Sequence, residues 1–115
     1  MSELETNNEN CLFNITKQEE LDAILENINE LVILKFSAEW CSPCKLIMPK
    51  YVELSKENKN CVFLCCDIDK SSEMSDTYKV FNIPYFIFFK KKKLVDDMKG
   101  CNEKILEEII NKYNK

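Results

Sequence analysis

Residues 31–36 read LVILKF, a nearly unbroken apolar run with β-branched members. A strand of that pattern has no face to leave in water, so it must be covered on both sides, as in a parallel sheet layered between helices. The flanking segments have the shape this requires. Upstream, Leu21, Ile24, Leu25 and Ile28 recur at i, i+3, i+4 and i+7, one apolar helix face. Thr16 with Glu19 fits a capping box at its start. Downstream, SAEWCSPC turns into a second helix carrying Leu46, Ile47, Tyr51 and Leu54, which Pro49 is expected to kink. CVFLCCDID (61–69) is another buried strand, and SSEMSDTY (71–78) a short helix with Met74 and Tyr78 on one side. YFIFFK (85–90) and KLVDDMK (93–99) lie close enough to pair as an antiparallel hairpin. Gly100 and Asn102 open a last helix with Leu106, Ile109, Ile110 and Tyr113 at helical spacing, and Cys11, Leu12 and Phe13 supply a short first strand. The order predicts an α/β fold, a mixed sheet flanked by helices with right-handed crossovers, in a single domain.

The chain has 115 residues, 45% of them hydrophobic, which is enough for one core without disulfide staples. Its first ten residues, MSELETNNEN, are polar and acidic, so residues 1–10 are expected to be a flexible leader and residues 11–115 the domain. The leader lacks the basic and apolar regions of a secretory signal, and no apolar run approaches the ~20 residues of a membrane span. A cytoplasmic, reducing setting is therefore expected for the seven cysteines, and a monomer that binds neither nucleic acid nor membrane. A net charge of −4 agrees with the absence of a polyanion partner. There is no histidine. Cys–His and Ser–His nucleophiles, and zinc sites of the Cys/His type, are thereby excluded.

The chemistry is concentrated in Cys41-Ser42-Pro43-Cys44, at the junction of a strand end and a helix start. In open α/β sheets functional groups gather at such junctions. Disulfide exchange begins with a thiolate, and the unpaired N–H donors at a helix start favour one there. The spacing puts Cys41 at the exposed lip and Cys44 one turn inside, where it can attack a mixed disulfide formed at Cys41. Pro43 suits the first turn because its missing N–H costs nothing there. The competing readings of a bare Cys-x-x-Cys are a structural pair or half of a zinc knuckle. A knuckle needs two further thiolates, and Cys65 and Cys66 are adjacent rather than spaced by two.

FSAEWCSPCK (36–45), Ile83-Pro84 ahead of an aromatic strand, and Lys99-Gly100 before the last helix together resemble the thioredoxin family over roughly residues 11–115. The resemblance implies the thioredoxin fold and a protein-disulfide reductase with Cys41 as nucleophile and Cys44 as resolving thiol. It implies that Trp40, Ile83, Pro84 and Gly100 shape the substrate-binding surface, with Pro84 as a cis-proline opposite the redox pair. It also implies thioredoxin reductase and disulfide-containing proteins as partners, a role in electron transport and cell redox homeostasis, and no bound cofactor beyond the Cys41–Cys44 disulfide. The alternative is a binding module of the same fold whose thiols do little.

Four positions depart from the family. Ser42 stands where its motif has glycine, and Tyr85 where a threonine usually follows the cis-proline. Lys35 occupies the place of a buried aspartate used for proton exchange with the resolving thiol, and Cys65 that of the lysine beside it. Either Lys35 snorkels to the surface and protons move through water, or its positive charge favours the Cys44 thiolate and makes the pair more oxidising. Cys11, Cys61, Cys65 and Cys66 lie in apolar segments and read as core packing, whereas Cys101, just after Gly100, is a candidate regulatory thiol. Lys90 to Lys93 falls at the hairpin turn, where lysines protect an edge, and the lack of glycine predicts a wider loop than usual.

Overall fold

The computed structural model describes residues 5–6 and 12–115. The elements in order are β1 (Glu5–Thr6), β2 (Leu12–Asn14), α1 (Gln18–Asn27), β3 (Val32–Ser37), α2 (Ser42–Glu57), β4 (Val62–Asp67), α3 (Ser72–Thr77), β5 (Tyr85–Lys90), β6 (Lys93–Lys99) and α4 (Glu103–Tyr113). They form one mixed sheet in the order β1-β2-β4-β3-β5-β6. The pairs β2–β4 and β3–β4 are parallel, while β1–β2, β3–β5 and β5–β6 are antiparallel. The leader expected over residues 1–10 falls mostly outside the described residues, as does Cys11; Glu5–Thr6 pair with Asn14 and Phe13.

Strand alternation divides the core into two layers. Leu31, Ile33, Phe63, Phe86 and Phe88 face α2 and α4, meeting Ile47, Tyr51, Leu54, Leu106 and Ile110. Val32, Leu34, Phe36, Leu64 and Ile87 face the other way, toward Leu21 of α1 and Met74 of α3. Tyr51 ties its helix to the sheet: its ring packs edge-on against Phe63 and Phe86, and its hydroxyl donates to the Leu64 carbonyl at 2.8 Å.

Two local expectations, the cap of α1 and the width of the β5–β6 turn, are corrected. The capping residue of α1 is Lys17 rather than Thr16, and the acidic partner is Glu20 rather than Glu19. A single Glu20 carboxylate oxygen accepts from the backbone N–H of both Thr16 (2.8 Å) and Lys17 (3.1 Å). The helix therefore starts one residue late, with a carboxylate at its positive end. Helix α2 runs unbroken from Ser42 to Glu57 through Pro49. The β5–β6 hairpin is tight rather than wide. Lys91 and Lys92 are its two turn residues, and both take positive φ, 52° and 71°, as the right-handed twist of a two-residue hairpin demands. The Lys91 N–H donates to the Asn29 carbonyl at 3.3 Å and the Lys92 ammonium meets Glu26 at 3.4 Å, so the loop before β3 and the end of α1 hold the turn.

Side chains other than glycine resist that backbone region by roughly 1–2 kcal/mol each. Replacing the turn by Lys91→Asn with Lys92→Gly should therefore stabilise the fold by about 1 kcal/mol, after the extra unfolded-state freedom of glycine is offset. The check is urea unfolding, with a raised midpoint and an unchanged slope.

Candidate redox site

The carboxyl end of β3 delivers the chain into a short turn, and α2 begins immediately after it. Cys41 is the capping residue of α2, with the extended backbone (φ −90°, ψ 107°) usual at that position. Its N–H donates to the Ala38 carbonyl at 3.2 Å and its carbonyl accepts from Lys45 at 3.2 Å, closing the turn and the first helical bond. Pro43 lies in the first turn, where no donor is missed. Cys41 and Cys44 are joined by a disulfide, with Cα atoms 5.3 Å apart. The Cys44 N–H also points at the Cys41 sulfur, 3.2 Å away. Contrary to the expected exposed lip, Cys41 is only 4% exposed and Cys44 2%, since Ala38, Ile68 and Ile83 close around the pair.

Trp40 stands out from the surface, 66% exposed, and its indole N–H donates to the Asp69 carboxylate at 2.8 Å. Asp69 was not singled out in the sequence; its signal is its place just beyond β4, in the same edge of the sheet. The Ile83–Pro84 bond is cis. Ile83 packs on the disulfide cluster, and the Pro84 carbonyl accepts from the Gly100 N–H at 2.8 Å. Gly100 holds φ at +91°, a conformation that side chains rarely adopt, and this lets its N–H reach back across to Pro84. The loops that follow β3, β4 and β6, and the one that precedes β5, thus converge on one edge. Tyr85 is drawn elsewhere: its ring stacks on Phe36 and its hydroxyl donates to Asp97 at 2.7 Å. Burial, and then the Asp97 carboxylate, push its hydroxyl pKa up to about 12.

Of the remaining thiols, Cys11 lies outside the described residues. Cys61, Cys65 and Cys66 are buried, each pushed up to about 11 by desolvation, so they remain protonated at neutral pH. Cys101 is exposed, beside Gly100. Among the described residues no group of three or more Cys, Asp or Glu side chains is arranged to hold a metal.

Lys35 does not snorkel out. It is 3% exposed on the α2 side of β3, in the row of Leu31 and Ile33 and paired in register with Cys65. Its Nζ lies 3.5 Å from the Met48 sulfur and 5.9 Å from the centre of the Tyr51 ring. Among the described residues it forms no ion pair. Burial therefore lowers its pKa below the usual 10.5, opposed only in part by the Cys65 thiol. Lys35 and Cys44 line the same open cavity of about 680 Å³.

A dithiol that can close into a disulfide, placed at the amino end of a helix and walled by apolar groups, defines a thiol–disulfide oxidoreductase. Comparisons with known proteins agree. The family profile described as Thioredoxin matches residues 13–112, so the chain belongs to the thioredoxin family. Thioredoxin 1 of Plasmodium falciparum is 41% identical over 99 residues, covering 86% of this chain and 94% of the relative. Human thioredoxin is 40% identical over 94 residues, covering 82% and 87% of the two chains. The X-ray structure of Fasciola hepatica thioredoxin superposes with a TM-score of 0.83 at 36% identity, covering 87% of this chain and 97% of the other. The protein is a protein-disulfide oxidoreductase whose redox disulfide is intrinsic to the chain, and the reading as a binding module with inert thiols is not favoured.

The buried lysine has a measurable cost. Its unfolded form titrates at 10.5 and its folded form lower, so the unfolded chain binds more protons between those two values and stability rises with pH there. Below the folded value the full penalty of burying the charge remains. Lys35→Met should thus be more stable than wild type at neutral pH, by about 1–3 kcal/mol. That advantage should shrink as the pH approaches 10.5. Denaturation of both proteins across the pH range checks it; an advantage that stays constant contradicts it.

Proposed function

We propose that the protein reduces disulfides in other proteins, with Cys41 as attacking sulfur and Cys44 as resolving sulfur. The observation that carries this assignment is the hydrogen bond from the Cys44 N–H to the Cys41 sulfur. Cys41 caps the helix, so the donors of the first turn and the positive helix end stabilise negative charge on its sulfur. Cys44 lies within the first turn and has no such cap. The thiolate of Cys41 attacks a client disulfide, one client sulfur leaves, and a mixed disulfide links Cys41 to the other. Cys44 then attacks Cys41, closing the intramolecular disulfide and releasing the client as a dithiol. Two electrons pass from the protein to the client.

Trp40, Ile83, Pro84 and Gly100 form the surface against which an extended client segment docks. Trp40 is held by Asp69, and the Pro84 loop by Gly100. Re-reduction is assigned to thioredoxin reductase, because the chain resembles thioredoxins over most of its length. The setting proposed is the cytoplasm, where the monomer serves electron transport and redox homeostasis. The domain is proposed to begin at about residue 11, close to the start of the family match.

Cys44→Ser should accumulate mixed disulfides with client proteins through Cys41, visible as reducible high-mass species on non-reducing gels. Cys41→Ser should accumulate none, and disulfide reduction should fall to background in both. Capture through Cys44 in preference to Cys41 reverses the roles, and capture by neither variant removes the proposal.

A further inference from the structure

Lys35 is a buried amine that the exchange steps above do not use. It is 3% exposed, yet it lines the open cavity of about 680 Å³ walled by residues of α1, β3, α2 and β4. Its nitrogen has a thioether at 3.5 Å and a ring face at 5.9 Å as neighbours, and no carboxylate pairs with it among the described residues. The Tyr51 hydroxyl is turned away, donating to the carbonyls of Leu64 and Ile33. An ammonium so placed lacks both hydration and a counter-ion, and an uncharged nitrogen suits the position better. Desolvation is also what turns a lysine into a nucleophile toward carbonyl compounds, because the free amine attacks and the ammonium does not.

We propose that Lys35 is a carbonyl-trapping residue, which condenses with small uncharged aldehydes that enter the cavity and holds them as an imine. The amine nitrogen attacks the aldehyde carbon, and a carbinolamine forms. Its C–O bond then breaks. The oxygen leaves as water with the two hydrogens that the nitrogen gives up, and a C=N bond remains. Lys35–NH2 and RCHO thus become Lys35–N=CHR and H2O, with no change of oxidation state and no further reagent. The product carries no charge, so it relieves the cost of holding an ammonium at this position.

The rest of the cavity selects the aldehyde. Ile15, Ala38 and Met48 give it an apolar wall, suited to a short alkyl chain. Lys45 and Lys70 stand against Glu20, Glu39 and Asp67, two cations to three carboxylates. An oxo acid would add negative charge where negative charge already prevails, so an uncharged carbonyl compound is preferred. Competing nucleophiles are held out of the reaction. Cys44 is bonded to Cys41 in the oxidised protein, and burial pushes the Cys65 thiol up to about 11, which keeps it protonated at neutral pH. Burial acts on Lys35 in the opposite sense. It lowers the pKa of the amine, so the reactive form is more abundant than in a lysine surrounded by water.

The test is reductive alkylation of the oxidised protein with propanal and cyanoborohydride at neutral pH, followed by peptide mass mapping. Cyanoborohydride reduces an imine to a stable secondary amine, and the 16 lysines of the chain compete in one tube. Lys35 should carry the propyl group ahead of the exposed lysines, Lys45 and Lys70 included. That lead should vanish in urea, where every lysine is in water, and with glyoxylate in place of propanal. Lys35→Met should lose the early label and leave the labelling of the other lysines unchanged. Propylation of Lys35 in step with the exposed lysines, or behind them, overturns the proposal, and so does a lead that survives unfolding. An equal lead with glyoxylate overturns the assignment to uncharged aldehydes.

Discussion

The central strand β3 is covered on both faces, and nearly every functional feature follows from that constraint. Val32, Leu34 and Phe36 are held by the α1–α3 layer, and Leu31 and Ile33 by the α2–α4 layer. With β4 parallel on one side and β5 antiparallel on the other, the strand has no freedom to shift register without exposing one set or the other. Its carboxyl end is therefore a fixed point. The turn over residues 38–41 starts there, and α2 is seated by Ile47, Tyr51 and Leu54 on the same sheet. Cys41 is held at the helix start by packing that lies mostly tens of residues away in sequence.

Lys35 is the one position where β3 breaks its own pattern, in the row that otherwise buries leucine and isoleucine. A core that accepts a lysine without a carboxylate partner gives up stability, because an ammonium loses its hydration and gains little from a thioether or a ring face. Desolvation accordingly lowers its pKa, and the cavity beside it opens to water. The position is a site of cost next to a site of chemistry, the combination in which perturbed titration and function tend to coincide.

What could be read from the sequence divides by the range of the interaction. LVILKF announces a strand covered on both faces within six letters, and the helical spacing of Leu106, Ile109, Ile110 and Tyr113 announces α4 as clearly, because both signals are local periodicities. Cys41-Ser42-Pro43-Cys44 was legible as a redox pair for the same reason. Most of the misreadings turn on contacts made by distant residues. The cap of α1 is the local exception: Thr16 with Glu19 is as good a pattern as Lys17 with Glu20, one residue on, which the helix uses. A glycine-free turn looks wide until Asn29 and Glu26 are seen holding Lys91 and Lys92 in a tight one. Lys35 looks able to reach the surface until α2 is laid across it. The bond from Trp40 to Asp69 spans 29 positions and has no local signature.

The same distinction explains why the site is assembled from loops yet geometrically defined. Trp40 is tethered by Asp69 and Pro84 by Gly100, each tether joining two segments that leave or enter one edge of the sheet, and Cys41 is held by Ala38 within its own turn. A loop held at both ends by strands and in its middle by a hydrogen bond behaves as part of the rigid scaffold. The pair of sulfurs can then change between bonded and free states while the groups around it keep their places. Pre-placement of this kind lets a small domain perform exchange, since the second sulfur need not search for the first.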